Sequence, residues 1–176
     1  MLLNAVPGWH DSAIVEQLFA QTFYARFQTR LCGGASEPYY QPANNSNEDH
    51  LLFYREDFFA SALHEVAHWC IAGQARRLQP DFGYWYVDEN RSEAQQRAFE
   101  AAECKPQAVE RLFSEAARFP FQPSLDQHAA DGCYAERVAR FNAKVAQQAT
   151  HYDVHGWPAR AEQFAAALRN CFQGVA

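Results

Sequence analysis

Apolar side chains recur at helical spacing in several stretches of the chain. In the first stretch the spacing predicts a helix that begins with Ser12 as N-cap, continues to about Leu31 and ends before Gly33-Gly34. Pro106 divides a later stretch into two predicted helices, because proline lacks the N–H that a helix interior needs and suits the first position of a new helix. The full set of predicted helices covers residues 12–31, 57–78, 92–104, 106–118, 134–149 and 158–172.

Three short runs have the character of strands. Residues 51–54 predict a buried strand, and residues 38–40 predict a short strand at a sheet edge. The aromatic run 82–87 predicts a further strand. Together these elements indicate a mainly helical α+β fold, a single domain over residues 1–176, with a small β-sheet packed beside the central helix 57–78.

The central helix carries His64-Glu65-Val66-Ala67-His68, an H-E-x-x-H motif. Residues four apart project from one helical face, so the two imidazoles can bind one metal ion. The rest of this helix is apolar, and polar side chains are costly to bury unless they are paired or ligated. The motif therefore predicts a metal site on a buried helix, a zincin-like arrangement. The competing interpretation is a pair of core histidines held by hydrogen bonds.

A site with two histidines also needs a carboxylate, and the third predicted helix offers Glu100 and Glu103. Together with Gln96 and Gln107 they fall within about 60° of one direction around the helix. We expect one glutamate to be the third metal ligand and the other to orient a histidine. By analogy with zinc enzymes we favour Glu100 as the ligand. The competing interpretation is a solvated polar face.

The composition of the chain argues against several classes of protein. The chain has 176 residues, a net charge of −6, 48% hydrophobic and 15% aromatic residues. These values exclude a disordered chain, and they argue against binding to nucleic acid or to an anionic membrane. The cysteines are scattered singly, no signal peptide is recognisable, and no apolar run is long enough to span a bilayer. We therefore expect a cytoplasmic protein.

Two histidines and one carboxylate suit two classes of enzyme. In a zinc hydrolase, Glu65 would be the general base that activates water. In a non-heme iron oxygenase, the same ligands leave positions open for dioxygen and substrate, and Glu65 need not act as a base. Glu65 is the candidate catalytic residue, and these residues by themselves leave the two classes nearly level.

The block from 60 to 108 resembles the bacterial elongation factor P hydroxylase family. The resemblance implies an iron-type metal enzyme with dioxygen as co-substrate. It also implies that His64, His68 and a glutamate of the Glu100/Glu103 pair are the metal ligands. The implied substrate is the lysine of elongation factor P after a β-lysyl group has been attached to it. The similarity is carried by 60–73 around the motif, 75–77, 81–86, Phe99-Glu100, Glu103 and Lys105-Pro106-Gln107-Ala108.

The favoured interpretation is thus a hydroxylase whose protein partner is lysylated elongation factor P. The alternatives are a zinc metallopeptidase and a non-catalytic binder of the translation factor with a structural metal. We further expect the aromatic run 82–87 and the turn-rich segment 35–50 to border the opening that admits the modified lysine. The sequence leaves open the electron donor, the number of metal ions and the oligomeric state.

Overall fold

The computed structural model describes residues 10–45, 48–84, 91–125 and 134–174. Helices predominate in this part of the chain, with a small three-stranded sheet, so the expected mainly helical α+β fold is confirmed. Its extent as one domain over 1–176 stays a prediction. The elements are α1 (Ser12–Phe19), α2 (Ala25–Phe27), β1 (Thr29–Ala35), β2 (Tyr39–Gln41), β3 (His50–Arg55), α3 (Phe59–Ile71), α4 (Glu93–Ala116), α5 (Tyr134–His155) and α6 (Ala159–Gln173).

β3 is the central strand of the sheet. β1 pairs with it in parallel and places Leu31 beside Leu52, whereas β2 pairs antiparallel and places Tyr40 beside Leu52 from the other side. Leu52, Tyr54 and Tyr40 are buried, so the sheet presents large side chains to the core. The strands expected at 38–40 and 51–54 are confirmed, and β2 lies at the edge as expected.

The first helix is shorter than its apolar spacing predicts. Its N-cap is Asp11 rather than Ser12, and the Asp11 carboxylate accepts a hydrogen bond from the N–H of Ala13. A π-helical turn over Ala20–Tyr24 and the short α2 follow, and Gln28 ends the helical path in the left-handed region. Leu31 and the Gly33-Gly34 pair lie in β1 instead, because pairing with β3 outweighs the local helical spacing.

The central helix α3 is confirmed, although it ends at Ile71 rather than near Leu78. It is buried along most of its length, as its apolar composition predicts. Trp69 is its largest fully buried side chain, and its indole packs edge to face on Phe19 at 5.0 Å between ring centroids. A short 3₁₀ turn over Arg76–Leu78 replaces the last predicted helical turn.

The two helices expected on either side of Pro106 are one continuous helix, α4, and the expected break is wrong. Ser92 and Gln95 begin it with a reciprocal capping box. Pro106 is buried inside the helix. Glu100, before it, lies near Arg137 of α5, and Phe113, after it, packs on Phe164 of α6. Packing on both sides of the proline compensates for the one backbone hydrogen bond that proline removes.

α5 and α6 agree with their expected positions, and α5 continues six residues further, to His155. α4 packs against α3, α5 and α6, and α3 lies next to the sheet. One large cluster of buried apolar side chains joins α1, the sheet, α3, the end of α4 and α6. No helix among the described residues is long and apolar enough to cross a bilayer.

The expected strand at 82–87 is wrong for its three described residues, Phe82, Gly83 and Tyr84. Phe82 and Gly83 belong to a 3₁₀ turn over Pro80–Gly83, and Trp85, Tyr86 and Val87 lie outside the described residues. Asp81 and Phe82 have φ values of 48° and 57°, in the left-handed region that non-glycine residues rarely adopt. The Asp81 carboxylate accepts a hydrogen bond from the N–H of Tyr40 at 2.8 Å, and this bond joins the turn to β2.

Candidate metal centre

α3 places His64 and His68 one helical turn apart on one face. Their Nε2 atoms are 3.1 Å apart, and the two rings meet edge to face. His68 is 9% exposed, and the His64 side chain is partly exposed. Two imidazole nitrogens bound to neighbouring positions of one metal ion, at about 2.0–2.1 Å each, would be about 3.0–3.4 Å apart. The observed separation of the Nε2 atoms fits such a pair.

Glu103 of α4 completes the group. Its Oε2 atom lies 3.5 Å from His64 Nε2, and its Oε1 atom lies 3.3 Å from His68 Nε2. The residue is 3% exposed, and one ligand atom from each of the three residues lies within 4.8 Å of the others. Two imidazoles and one carboxylate are a donor set that suits iron(II) or zinc. The residues present therefore fit a metal ion.

Glu110 is a member of the site that the sequence analysis missed. Its Oε2 atom accepts a hydrogen bond from Nδ1 of His64 at 2.8 Å. A proton fixed on Nδ1 leaves Nε2 of His64 as the nitrogen that faces Glu103 and His68. Glu110 follows Glu103 by seven residues on the same face of α4, and this spacing could have identified it. The sequence analysis did not use this spacing, because it expected a helix break at Pro106 between the two glutamates.

The carboxylates around His64 change its protonation. Burial lowers the pKa of His64, but Glu110 and Glu103 outweigh burial and raise that pKa to about 10. Burial raises the pKa of Glu103, but the two histidines and Gln107 outweigh it and lower the pKa to about 2. Glu103 is therefore ionised at neutral pH, and a metal ion competes with a proton for Nε2 of His64.

Gln107 holds Glu103 in place. Its Nε2 atom donates to the backbone carbonyl of Ser124 at 2.7 Å and to Glu103 Oε2 at 3.4 Å. Its Oε1 atom accepts from the N–H of Ser124 at 3.0 Å. These bonds fix the carboxamide and, through it, the orientation of the carboxylate.

Glu100, which we favoured as the third ligand, is not beside the histidines. Its two oxygens lie 3.9 Å from Nε of Arg137 and 3.8 Å from Nζ of Lys144, both on α5. Three residues along a helix correspond to a rotation of about 300°, which separates Glu100 from Glu103 by about 60°. That rotation turns Glu103 toward α3 and Glu100 toward α5. The geometry therefore favours Glu103 over Glu100 as the candidate third ligand.

Glu65, the candidate catalytic residue, is partly exposed next to the two histidines. Burial raises its pKa, and this effect outweighs the lowering by His64 and His68. The charge of Asp81, in the 80–83 turn, also raises the pKa of Glu65. The ring of Phe82 in that turn stacks on Tyr40 of β2 at 4.3 Å between centroids.

Comparison with known proteins identifies the family. A family model described as elongation factor P hydroxylase matches residues 18–175. The chain belongs to the elongation factor P hydroxylase family. A relative from Haemophilus influenzae, named elongation factor P lysine hydroxylase, is 40% identical over 159 residues, which are 90% of this chain and 88% of the relative.

Membership of the elongation factor P hydroxylase family confirms the resemblance seen in the sequence. The matched range contains both α3 and α4, and therefore His64, His68, Glu103 and Glu110. The family model and the relative both describe hydroxylases. Neither supports the zinc metallopeptidase that the H-E-x-x-H motif also suggested.

Proposed function

We propose that this protein hydroxylates the lysine side chain of elongation factor P, in its β-lysylated form, at a non-heme iron centre. His64, His68 and Glu103 hold the iron, and dioxygen is the co-substrate. The observation that carries the proposal is the compact group of two histidines and one glutamate in a chain of this family. The protein partner is the translation factor itself, and a cytoplasmic location follows from that partner.

The choice of iron over zinc rests on the reaction. Side-chain acids and bases cannot insert oxygen into an unactivated C–H bond, so a redox cofactor has to supply that reactivity. Bound iron(II) would supply it by activating dioxygen, and two histidines with one carboxylate are the ligand set of many non-heme iron oxygenases. Zinc has no redox chemistry and suits hydrolysis instead.

The protein's own residues prepare the site for this chemistry. Glu110 keeps the proton of His64 on Nδ1, so that Nε2 is available to the metal. Gln107, itself held by Ser124, orients Glu103. The apolar neighbours of the histidines on α3, Leu63, Val66 and Ala67, are fully buried and exclude water from that side. The open side of the site is then the side of Glu65.

We place the entrance for the modified lysine at this open side, beside β2 and the 80–83 turn. Phe82 stacks on Tyr40 and joins these two segments, so that together they form one wall of the proposed entrance. Tyr84 directly follows the 80–83 turn, and the guanidinium of Arg76 lies over one face of its ring, 4.3 Å from the ring centroid. Glu65 and Asp81 add negative charge, which attracts the ammonium groups of a lysylated arm.

The test compares two metals on the same substrate. The full chain is loaded with iron(II) or with zinc, incubated with lysylated elongation factor P in air, and the intact mass of the factor is measured. We expect a gain of one oxygen atom with iron and none with zinc. Product formation with zinc, or none with iron when iron is shown to be bound, would contradict the proposal.

A further inference from the structure

Gln96 is a buried polar residue whose side chain the fold does not satisfy. It lies on α4 and is 2% exposed, and neither Nε2 nor Oε1 has a hydrogen-bond partner among the described residues. A carboxamide offers two N–H donors and an oxygen that accepts two hydrogen bonds. Leaving these groups unpaired in the interior destabilises a protein, and native chains keep such residues mainly at functional sites.

Gln107 shows that α4 can satisfy a buried glutamine. It is on the same helix and is 1% exposed, yet both ends of its carboxamide are bonded, to Ser124 and to Glu103. Gln96 has no equivalent partner. The lack of partners is therefore particular to the position of Gln96.

The position of Gln96 is in line with the metal centre. Gln96, Glu103 and Glu110 are spaced by seven residues, and a helix drifts only about 20° in each such step. Glu103 and Glu110 both contact His64, so this stripe of α4 faces α3. Of these two glutamates, Glu103 is the one that contacts His68, so the two helices run antiparallel. Gln96 therefore lies beyond His68, about 10 Å along α4 from Glu103.

We propose that Gln96 binds the amide of the aminoacylated lysine and so makes the enzyme prefer the lysylated factor over the unmodified one. The proposal rests on the function given above. Attachment of a β-lysyl group to the lysine nitrogen creates an amide, which has one N–H donor and one carbonyl acceptor. The carboxamide of Gln96 complements both groups, because it can accept from the N–H and donate to the carbonyl.

An unmodified lysine does not match Gln96 in this way. Its ammonium group has donors only, so it would leave the NH₂ of Gln96 buried and unpaired. A lysine side chain is about 6 Å long. When one of its carbons is held at the metal centre, the amide at its end is within reach of the Gln96 side chain, whose backbone lies about 10 Å along α4 from Glu103. A site built to pair with a substrate polar group discriminates strongly against an analogue that lacks it.

The experiment compares Gln96→Met with Gln95→Met, a neighbouring glutamine of α4 outside the site, since methionine keeps the volume of glutamine and removes its polar groups. The dissociation constants of iron-loaded full-length protein for lysylated and unmodified elongation factor P are measured under nitrogen, together with the melting temperature. We expect Gln96→Met to weaken binding of the lysylated factor by about 10-fold or more, with unchanged binding of the unmodified factor. Its melting temperature should be unchanged or higher, because no hydrogen bond is lost.

The control should behave in the opposite way. Gln95→Met breaks the capping-box hydrogen bond from the N–H of Ser92, so its melting temperature should fall while the preference for the lysylated factor is kept. The proposal is overturned if Gln96→Met keeps the wild-type preference, or if it loses stability and weakens binding of both factors equally. It is overturned as well if the wild-type protein does not distinguish the two factors. The proposed function is judged separately, by whether the wild-type protein adds oxygen to the lysylated factor.

Discussion

At the scale of single residues, position around α4 decides what each carboxylate does. Glu103 faces the histidines, Glu110 accepts the Nδ1 hydrogen bond of His64, and Glu100 faces the cations of α5. The positions differ by rotations of tens of degrees about one helix axis. A candidate metal ligand, a hydrogen-bond partner of His64 and a residue at a helix interface thus come from the same short stretch of sequence.

His50 gives a prediction at this scale, because the fold holds it neutral. Its Nδ1 atom accepts the N–H of Ala43 at 3.0 Å, and burial, assisted by Arg77, lowers its pKa below the usual 6.5. The unfolded chain therefore binds a proton at His50 more readily than the folded protein. We expect the free energy of unfolding to decrease as the pH falls from about 6.5 toward the lowered pKa of the folded state.

The measurement is urea unfolding of the wild-type protein and of His50→Asn between pH 7.5 and pH 5.5. Asparagine keeps an acceptor near the position of Nδ1 and does not titrate. The wild-type protein should lose more stability than the variant over this range, and groups elsewhere contribute equally to both. Parallel pH dependence in the two proteins would show that His50 is not held neutral.

At the scale of elements, Gly33 allows β1 to pack closely against its neighbours. A Cβ atom at this position would lie 2.5 Å from the Tyr54 hydroxyl and 2.6 Å from an Asp57 carboxylate oxygen. The Tyr54 hydroxyl in turn donates to Glu16, which also accepts the N–H of Gly33, so the hydroxyl is not free to move away. We expect Gly33→Ala to destabilise the protein by about 1–3 kcal/mol through overpacking.

The matched control is Gly73→Ala, since a Cβ atom at Gly73 has no other atom within 4 Å. Its effect on stability should stay within about 0.5 kcal/mol. Thermal unfolding separates the two variants, because about 1 kcal/mol corresponds to about 2–4 °C in a protein of this size. Equal melting temperatures for both variants would rule out the close approach at Gly33.

Elements defined by long apolar periodicity could be predicted from the sequence, and those decided by tertiary contacts could not. The central helix and the last two helices have strong patterns and lie where expected. The single helix through Pro106 depends on packing against three other helices, which no local pattern contains. Leu31 fits a helical pattern equally well, but pairing with β3 places it in a strand.

In the candidate metal centre, too, the residues set by a local pattern could be predicted, and those set by tertiary contacts could not. The pair His64 and His68 follows from a four-residue spacing on one helix, so the sequence was sufficient to find it. The choice among carboxylates depends on how α4 is rotated against α3, and a local pattern does not specify that rotation. The seven-residue spacing from Glu103 could have identified Glu110 if the helix had been expected to continue, whereas the unpaired side chain of Gln96 depends on burial and contacts in the fold.

At the scale of the whole molecule, the candidate metal centre joins two helices far apart in sequence, with His64 and His68 on α3 and Glu103 on α4. α4 also bears Glu110, Gln107 and Gln96, and thus carries the groups that orient the ligands and the proposed substrate contact. In the proposed function, this pair of helices combines metal binding with recognition of the modified lysine.

The most direct test of this account is the intact mass of lysylated elongation factor P after incubation in air with iron(II) and three proteins: wild type, Glu103→Gln and Glu100→Gln. Both variants remove one charge at nearly constant shape from neighbouring turns of α4. We expect the wild type and Glu100→Gln to add one oxygen atom to the factor, and Glu103→Gln to bind no iron and add none. Full activity of Glu103→Gln, or loss of activity in Glu100→Gln alone, would contradict the proposed centre.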